Sequence, residues 1–138
     1  VLVGKNQENE IVEKAKKYLG DRFIHLFVEP DLIPELYFMS DVAVLASYYE
    51  GFPNVVLEAT QNKVMPLLHD CKRNRWILHE NEDFLIDMSK EGALSSVISK
   101  ASAEWFVERG KLAEEIYYGN YSWEVLKNKY LQLLKITE

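Results

Sequence analysis

The sequence predicts an α/β fold, a Rossmann-like open parallel sheet flanked by helices, and two observations support this class. Short apolar runs alternate along the chain with segments of helical periodicity. One of these runs, residues 42–46, is continuously apolar, as expected for a strand covered on both faces. Strands that alternate with helices at this spacing need crossover connections, which favour a parallel sheet.

The amino-terminal part begins with a strand at residues 1–3, which Gly4 closes. A helical pattern follows over residues 8–19, and Gly20 stands where a helix C-cap is expected. Residues 23–28 are the second strand-like run.

The middle part contains the strand with the clearest pattern. Asp31 is a candidate N-cap for a short helix that runs through Tyr37. The apolar strand at residues 42–46 comes next. A helix at residues 55–61 then separates it from another apolar run at residues 64–68.

The carboxyl-terminal part is mainly helical. Ser89 is a plausible N-cap for one helix, and a second helical stretch over residues 101–118 is interrupted by Gly110. Ser122 caps a final amphipathic helix, whose apolar face we expect to pack on the sheet. Before these helices lie a short helix at residues 74–79 and a strand at residues 84–86.

Composition excludes several classes of function. The 138 residues are assigned to one domain, residues 1–138. Lys and Arg number 16 against 22 Asp and Glu, and the net charge of −6 argues against a nucleic-acid partner. Cys71 is the only cysteine, so the sequence has neither a disulfide framework nor a Cys-rich zinc site. No apolar run approaches the roughly 20 residues that span a bilayer.

Ligands of an open parallel sheet bind beyond the carboxyl ends of its strands, which makes four loops candidates. The loop over residues 47–54 is the most informative. Gly51 permits close backbone approach, Pro53 fixes the chain direction, and the following helix would point free N–H groups at an anion. Glu50 and Glu58 would accept hydrogen bonds from sugar hydroxyls. The other three candidate loops are residues 4–7, 28–31 and 69–75.

A simpler interpretation of the two carboxylates is also open. Glu58 would then merely favour the helix dipole, and Glu50 would be a solvated loop residue. His69, in the last of the candidate loops, is a candidate ligand contact or a packing residue.

The segment over residues 41–59, with the letters DVAVLASYYEGFPNVVLEA, resembles the signature of the retaining GT-B glycosyltransferases of family 4, known as glycosyl transferases group 1. In that family a strand, an E-G-F loop and a helix carry two glutamates separated by seven residues. Three other segments agree with the family pattern: Val1-Leu2-Val3-Gly4, Leu36-Tyr37, and Tyr121-Ser122-Trp123-Glu124.

The resemblance implies roles for the residues of this loop. Glu50 would be the catalytic carboxylate that contacts hydroxyls of the transferred sugar, and Glu58 would hold the ribose of the nucleotide. The remaining donor-binding residues would be Gly51, Phe52, Pro53, Asn54 and Val55.

The resemblance also implies what the protein binds. The donor would be a UDP-, GDP- or similar nucleotide-sugar, with retention of anomeric configuration and with no cofactor and no catalytic metal. The chain would lack the first strand-helix unit of the GT-B carboxyl-terminal domain and the whole amino-terminal acceptor domain. The enzyme would be cytoplasmic, either free or at the inner face of the membrane, and any membrane contact would need the absent regions.

The sequence departs from the family after Glu58. Lys72 and Arg73 stand where the family has a Gly-Gly turn, and Trp76 replaces a glutamate. The two side chains would either obstruct the donor, or contact a phosphate or an acidic acceptor.

Two functions from different classes follow from this comparison. The first is the donor-binding domain of a glycosyltransferase in polysaccharide or glycolipid synthesis. The alternative is a degenerate, non-catalytic module that serves protein interaction, and the replacements at Lys72, Arg73 and Trp76 motivate it.

Overall fold

The computed structural model describes residues 1–4 and 9–135, and only the backbone of Asn9. The chain divides into two compact units, Val1–Glu35 and Leu36–Glu138. The prediction that residues 1–138 form a single domain stays a prediction.

The amino-terminal unit contains a parallel pair of short strands. Strand β1 (Leu2–Val3) pairs with β2 (His25–Leu26), and helix α1 (Asn9–Leu19) connects them. Gly20 has a φ of 54° and ends α1, as predicted, because glycine adopts this left-handed conformation at little cost. The second strand is shorter than the predicted run at residues 23–28.

Helix α2 (Ile33–Phe38) follows a 3₁₀ turn at Pro30–Leu32. The carboxyl-terminal unit then contains a three-stranded parallel sheet in the order β3-β4-β5. Its strands are β3 (Val42–Leu45), β4 (Met65–His69) and β5 (Leu85–Ile86).

The five residues of β4 are all buried, and this central strand organises the core. Pro66 lies within it although proline cannot donate a ladder hydrogen bond. The position is permissive because β5 pairs only with Leu68 and His69, so no neighbour on that side needs an amide at Pro66.

Helices connect and cover these strands. Helix α3 (Asn54–Gln61) joins β3 to β4, and α4 (Lys72–Ile77) joins β4 to β5. The chain ends in α5 (Ala93–Lys100), α6 (Ala103–Asn120) and α7 (Trp123–Leu134). Helix α6 packs against both α3 and β4. The observed class is therefore α/β, with parallel strands flanked by helices, as the sequence predicts.

The strand at residues 42–46 was expected to be covered on both faces, and this expectation is wrong. Val44 is 43 % exposed, and the other residues of β3 are half-buried. This difference in burial follows from the positions of the strands, because β3 lies at the edge of the three-stranded sheet whereas β4 lies at its centre.

The expected break in the helix at Gly110 is absent, and α6 runs continuously through it. Gly110 is buried where α6 crosses the turn between α3 and β4. A Cβ atom placed on Gly110 would lie 2.0 Å from the carbonyl oxygen of Lys63. The glycine is therefore required for close packing of two elements rather than for a bend.

The expected packing of the final helix is also wrong. The side chains of Trp123, Tyr130, Leu133 and Leu134 are exposed, and Leu133 reaches 78 %. Helix α7 contacts α6 instead of covering the sheet with this face.

Three predicted caps act differently. Asp31 lies inside the 3₁₀ turn at Pro30–Leu32 and not at the N-cap of a helix. The Ser89 hydroxyl donates to the carboxylate of Asp87, and Gly92 occupies the N-cap position of α5. Ser122 occupies the N-cap position of α7, but its hydroxyl donates to the carbonyl oxygen of Tyr118 at 3.1 Å.

We predict that Gly110→Ala lowers the free energy of unfolding by about 3 kcal/mol, because the new methyl group forces α6 away from Lys63. Gly119→Ala is the matched control on the same helix, since a Cβ there meets no atom within 4 Å. It should raise stability by about 0.5–1 kcal/mol. Urea denaturation measures both, and an equal response of the two variants would contradict the packing argument.

Candidate functional site

The loop after β3 approaches the loop after β4 at one end of the sheet. Both strands are parallel neighbours, so their carboxyl ends lie at the same edge. Residues from the two loops line a common hollow of about 200 Å³, which includes Tyr49, Glu50, Lys72 and Arg73. We call it the Glu50 hollow. The meeting of the predicted loops 47–54 and 69–75 is thus observed.

A second, wider hollow of about 410 Å³ adjoins the first. It is lined by Gly51, Phe52, Lys72, Arg73 and Trp76, and we call it the Trp76 hollow. Lys72 and Arg73 belong to both hollows. These two side chains therefore form the wall between them.

Gly51 is not required by the local backbone. Its φ lies outside the left-handed region, and a Cβ atom there would meet no atom within 4 Å. An expectation that the loop uses Gly51 for an unusual backbone dihedral is therefore wrong, whereas the expectation of close backbone approach stays a prediction. What remains is open space in front of the glycine, on the side where a ligand would need close approach to the backbone.

The first amides of α3 are only partly free. The Asn54 N–H donates to the oxygen of Phe52, and the Val56 N–H donates to the oxygen of Pro53. Among the first three residues of α3, Val55 is the one whose amide makes no such bond to the loop within the described residues. The sequence predicted several free N–H groups at the start of α3, but only the Val55 amide among these three residues is available to an anion.

Glu58 is exposed in the second turn of α3, and its carboxylate has a defined partner. The Tyr37 hydroxyl lies 3.2 Å from Glu58 Oε2 and 3.2 Å from the carbonyl oxygen of Val55. Burial raises the pKa of the Tyr37 phenol well above its usual value, and the Glu58 charge and hydrogen bond raise it further. Tyr37 therefore remains protonated and acts as a donor to Glu58.

The two glutamates have different surroundings. Glu50 is half-buried and lines the Glu50 hollow. Glu58 lines none of the three hollows described in this part of the chain, and no described contact joins it to Glu50.

The loop after β4 is held by polar contacts inside the fold. Arg75 donates from two nitrogens to the Asp70 carboxylate, each at 2.6 Å. The buried Asn74 amide donates to the carbonyl oxygen of His69 at 2.7 Å. Such contacts fix where α4 begins and so where Lys72 and Arg73 project.

His69 has a structural environment. It is buried, its Nδ1 accepts a hydrogen bond from the Met88 N–H, and its ring lies 4.2 Å from that of Tyr48. It lines none of the hollows described here. Of its two candidate roles, these contacts favour packing.

A third hollow, of about 450 Å³, was missed by sequence reasoning. It lies between α4, α6 and α7, and we call it the Tyr121 hollow. The Tyr121 hydroxyl donates to the oxygen of Ile77 at 2.9 Å, and burial raises the pKa of this phenol. Its other wall residues are Trp76, His79, Glu80, Asn120, Leu126 and Lys129.

A metal centre and a membrane span were also sought in the structure. Over residues 1–4 and 9–135, no three His, Cys, Asp or Glu side chains are grouped so that they could bind a metal ion. No described helix has the length and apolar character to cross a bilayer.

Comparison with known proteins adds independent information. Residues 1–123 match the family model described as glycosyl transferases group 1. The chain is also similar to the amylovoran biosynthesis glycosyltransferase AmsD of Erwinia amylovora, with 26 % identity over 104 residues. The match covers 75 % of this chain but only 30 % of that relative's length. No solved structure gives a significant match.

We predict that the free energy of unfolding falls as the pH rises above about 10. The unfolded chain ionises Tyr37 near that pH, whereas the folded chain retains the proton to a higher pH. The slope contributed by Tyr37 cannot exceed about 1.4 kcal/mol per pH unit, because one proton is involved, and half-burial of the side chain limits the total loss of stability.

Tyr37→Phe should remove this contribution, and Glu58→Gln should reduce it, since burial of the phenol would remain without the neighbouring charge. Urea denaturation between pH 8 and pH 11, values chosen to bracket the ordinary tyrosine pKa of about 10, measures all three proteins. An unchanged slope in Tyr37→Phe would exclude the interpretation.

We predict that Asn74→Ala lowers the free energy of unfolding by about 1–3 kcal/mol, because the buried His69 carbonyl loses its donor. Asn62→Ala is the matched control. The Asn62 side-chain amide donates to the backbone carbonyl oxygen of Glu58 at 2.8 Å. Because Asn62 is exposed, water can replace this hydrogen bond in the variant. We expect a change within about 0.5 kcal/mol there, and a similar loss in both variants would refute the prediction.

Proposed function

Because the chain belongs to the glycosyl transferases group 1 family, we propose that it is the donor-binding part of a retaining, nucleotide-sugar-dependent glycosyltransferase of the GT-B, family 4 type. The donor is a nucleoside-diphosphate sugar, and the acceptor is a hydroxyl group. Because the chain spans 30 % of the length of its relative, the remainder of the enzyme would contribute the acceptor domain. The role of that relative in amylovoran biosynthesis supports polysaccharide synthesis as the setting.

The observation that carries the proposal is the position of the Glu50 hollow. It opens where two adjacent parallel strands end, which is where α/β sheets bind their ligands. It combines a half-buried carboxylate with aromatic and cationic side chains. A sugar joined to a phosphate would use all three kinds of group. The carboxylate accepts hydrogen bonds from its hydroxyls, the aromatic rings contact its ring faces, and the cations neutralise its phosphate charge.

In the proposed complex, Glu50 accepts hydrogen bonds from hydroxyls of the transferred sugar. The open side of Gly51 admits the sugar, and the Val55 amide is available to the diphosphate. Phe52, Pro53 and Asn54 complete the proposed donor site.

Glu58 binds the ribose in this proposal, and Tyr37 prepares it for that role. The Tyr37 hydroxyl lies within hydrogen-bond distance of Oε2, which leaves Oε1 to accept from a ribose hydroxyl. Restricting the rotation of an exposed glutamate before binding reduces the entropy lost on association.

The proposed reaction depends mainly on position and electrostatics. The acceptor oxygen forms a bond to the anomeric carbon, and the bond from that carbon to the phosphate oxygen breaks. The nucleoside diphosphate departs with the electron pair of that bond and takes up the proton that the acceptor hydroxyl loses. Groups that hold both reactants and stabilise the departing phosphate lower the barrier. We propose that neither a metal ion nor another cofactor is needed, and that the enzyme works in the cytoplasm at the inner face of the membrane.

The second candidate, a non-catalytic interaction module, rests on one observation. The exposed side chains of Lys72, Arg73 and Trp76 line the Trp76 hollow, which a donor would approach from the side of Gly51. If they exclude the donor, the fold would serve protein interaction only.

We predict that Glu58→Gln and Glu50→Gln each weaken binding of the preferred nucleotide-sugar by about 10- to 100-fold, the range for hydrogen bonds to a charged group. Calorimetric titration with UDP, GDP and their glucose and mannose derivatives measures this effect. Glu58→Gln should weaken binding of the free nucleotide as well, whereas Glu50→Gln should act only on the sugar derivative.

Glu108→Gln is the matched control, because Glu108 is an exposed glutamate on α6 outside every described hollow. It should leave binding unchanged. If none of these nucleotides or sugars binds at millimolar concentration, the interaction module becomes the better account.

A further inference from the structure

The stretch of loop that carries Glu50 lacks the polar contacts that usually hold a loop in place. No residue that the structure describes makes a hydrogen bond with residues 48–51, and none forms an ion pair with the Glu50 carboxylate. Glu50 is also only half-buried. Its position therefore depends on how the chain on either side of it is anchored.

Ring contacts anchor this stretch on both sides. Before Glu50, the Tyr48 ring lies 4.2 Å from the His69 ring, and the two planes are tilted by 45°. After Glu50, the Phe52 ring lies 6.4 Å from the Tyr121 ring in an edge-to-face arrangement. The first contact is the closer one, and His69 is only 7 % exposed whereas Tyr121 is half-buried. His69 is therefore the firmer of the two anchors.

Contacts inside the fold hold His69 itself. Its backbone is paired with Ile86 of β5, and its carbonyl oxygen accepts from the Asn74 amide at 2.7 Å. The ring Nδ1 accepts from the Met88 N–H at 3.2 Å, so the proton of the neutral imidazole lies on Nε2. Turning the ring over would leave the Met88 N–H without this acceptor. The His69 ring is thus a surface fixed to the sheet, against which Tyr48 packs.

The effect of this contact extends to the candidate donor site although His69 itself does not. Tyr48 and Glu50 both line the Glu50 hollow, whereas His69 lines none of the hollows described here. Only Tyr49 stands between Tyr48 and Glu50 in the chain. A change in the position of the Tyr48 ring is therefore transmitted to Glu50 through a very short piece of backbone.

We propose that His69 is a positioning residue, which fixes the loop that carries Glu50 by holding the Tyr48 ring and so orients this carboxylate for the transferred sugar. The inference rests on the proposed donor function and adds to it a residue that acts without touching the ligand. A carboxylate that is fixed before binding loses less entropy when a sugar hydroxyl donates to it. The loss of the His69 ring should therefore weaken binding of the sugar and not of the nucleotide.

Two substitutions separate the two contacts of the His69 ring. His69→Asn keeps an acceptor for the Met88 N–H but removes the ring, whereas His69→Phe keeps a ring beside Tyr48 but removes the acceptor. Both should lower the urea concentration at the midpoint of unfolding, the first through a cavity and the second through an unpaired N–H group. A merely structural role would therefore predict similar losses of donor affinity in the two variants.

Calorimetric titration of the full chain with the preferred nucleotide-sugar measures the affinity. We expect His69→Asn to weaken binding by about three- to tenfold, and His69→Phe to stay within about twofold of the unmodified chain. Neither substitution should change binding of the free nucleotide. When the chain already carries Glu50→Gln, His69→Asn should have no further effect, because the carboxylate that it positions is gone.

Each of three results would overturn the proposal. The first is an equal loss of affinity in the two His69 variants, and the second is a matching loss for the free nucleotide. The third is a loss that adds in full to that of Glu50→Gln, because His69 would then act independently of the carboxylate.

Tyr48→Leu tests the same contact from its exposed side, since Tyr48 is 64 % exposed and its replacement leaves the core intact. It should reproduce the loss expected for His69→Asn, and this loss too should vanish when Glu50→Gln is present. A loss that persists beside Glu50→Gln would mean that Tyr48 binds the sugar directly, which would contradict the proposal.

Tyr118→Leu is the matched control for Tyr48→Leu. Tyr118 is 51 % exposed, its ring lies 5.2 Å from that of Tyr117, and it lines none of the hollows described here. The control should leave binding of both ligands unchanged. A loss equal to that of Tyr48→Leu would show that the effect is not specific to the loop and would count against the proposal.

Backbone mobility in the ligand-free chain separates this inference from the donor function. In NMR relaxation measurements, the order parameters of Tyr49, Glu50 and Gly51 should fall in His69→Asn and stay unchanged in His69→Phe. If they do so but no nucleotide-sugar binds, His69 still fixes the loop and the donor function fails. If a nucleotide-sugar binds through Glu50 while His69→Asn changes neither affinity nor order parameters, the inference is wrong and the donor function stands.

Discussion

The pairing of β3 with β4 is the constraint on which the candidate site depends. Four residue pairs, from Val42 with Met65 to Leu45 with Leu68, hold the two strands parallel and in one register. The full burial of β4 makes this register costly to change, because a shift of one residue would reverse the face of every side chain. The two loops that follow these strands are therefore held beside each other, although residues 55–68 separate them in sequence.

A second set of contacts converts this adjacency into a defined surface. The buried amide of Asn74 and the Asp70–Arg75 pair fix the start of α4. On the other side, Tyr37 fixes one carboxylate oxygen of Glu58. Among the candidate site side chains, Glu58, Lys72 and Arg73 are exposed and Glu50 is half-buried, while the groups that position them are wholly or partly buried. This arrangement is expected of a site that must accept ligand without rearranging.

The sequence was sufficient to predict the α/β class, the alternation of strands and helices, and the meeting of loops 47–54 and 69–75. Membership of the glycosyl transferases group 1 family, which residues 41–59 indicated, is confirmed by the match over residues 1–123, whereas the family 4 assignment stays a prediction. The pairing of Tyr37 with Glu58 and the fit of Gly110 against Lys63 could not be predicted, because each joins residues distant in sequence. Periodicity also predicted a buried face on α7, but it cannot say whether the described chain provides a surface to cover it.

The three-stranded sheet differs in width between its two ends, and Pro66 lies in its narrower part. The third strand joins β4 only over Leu68 and His69, next to the loops, and Pro66 lies in the part of β4 that β5 does not reach. The sheet is consequently three strands wide at its carboxyl edge and two strands wide at its opposite edge. Hydrogen bonding among β3, β4 and β5 is therefore most extensive directly beneath the rim that carries the candidate site, and thermal loosening of these strands would begin at the far edge and spare that rim longest.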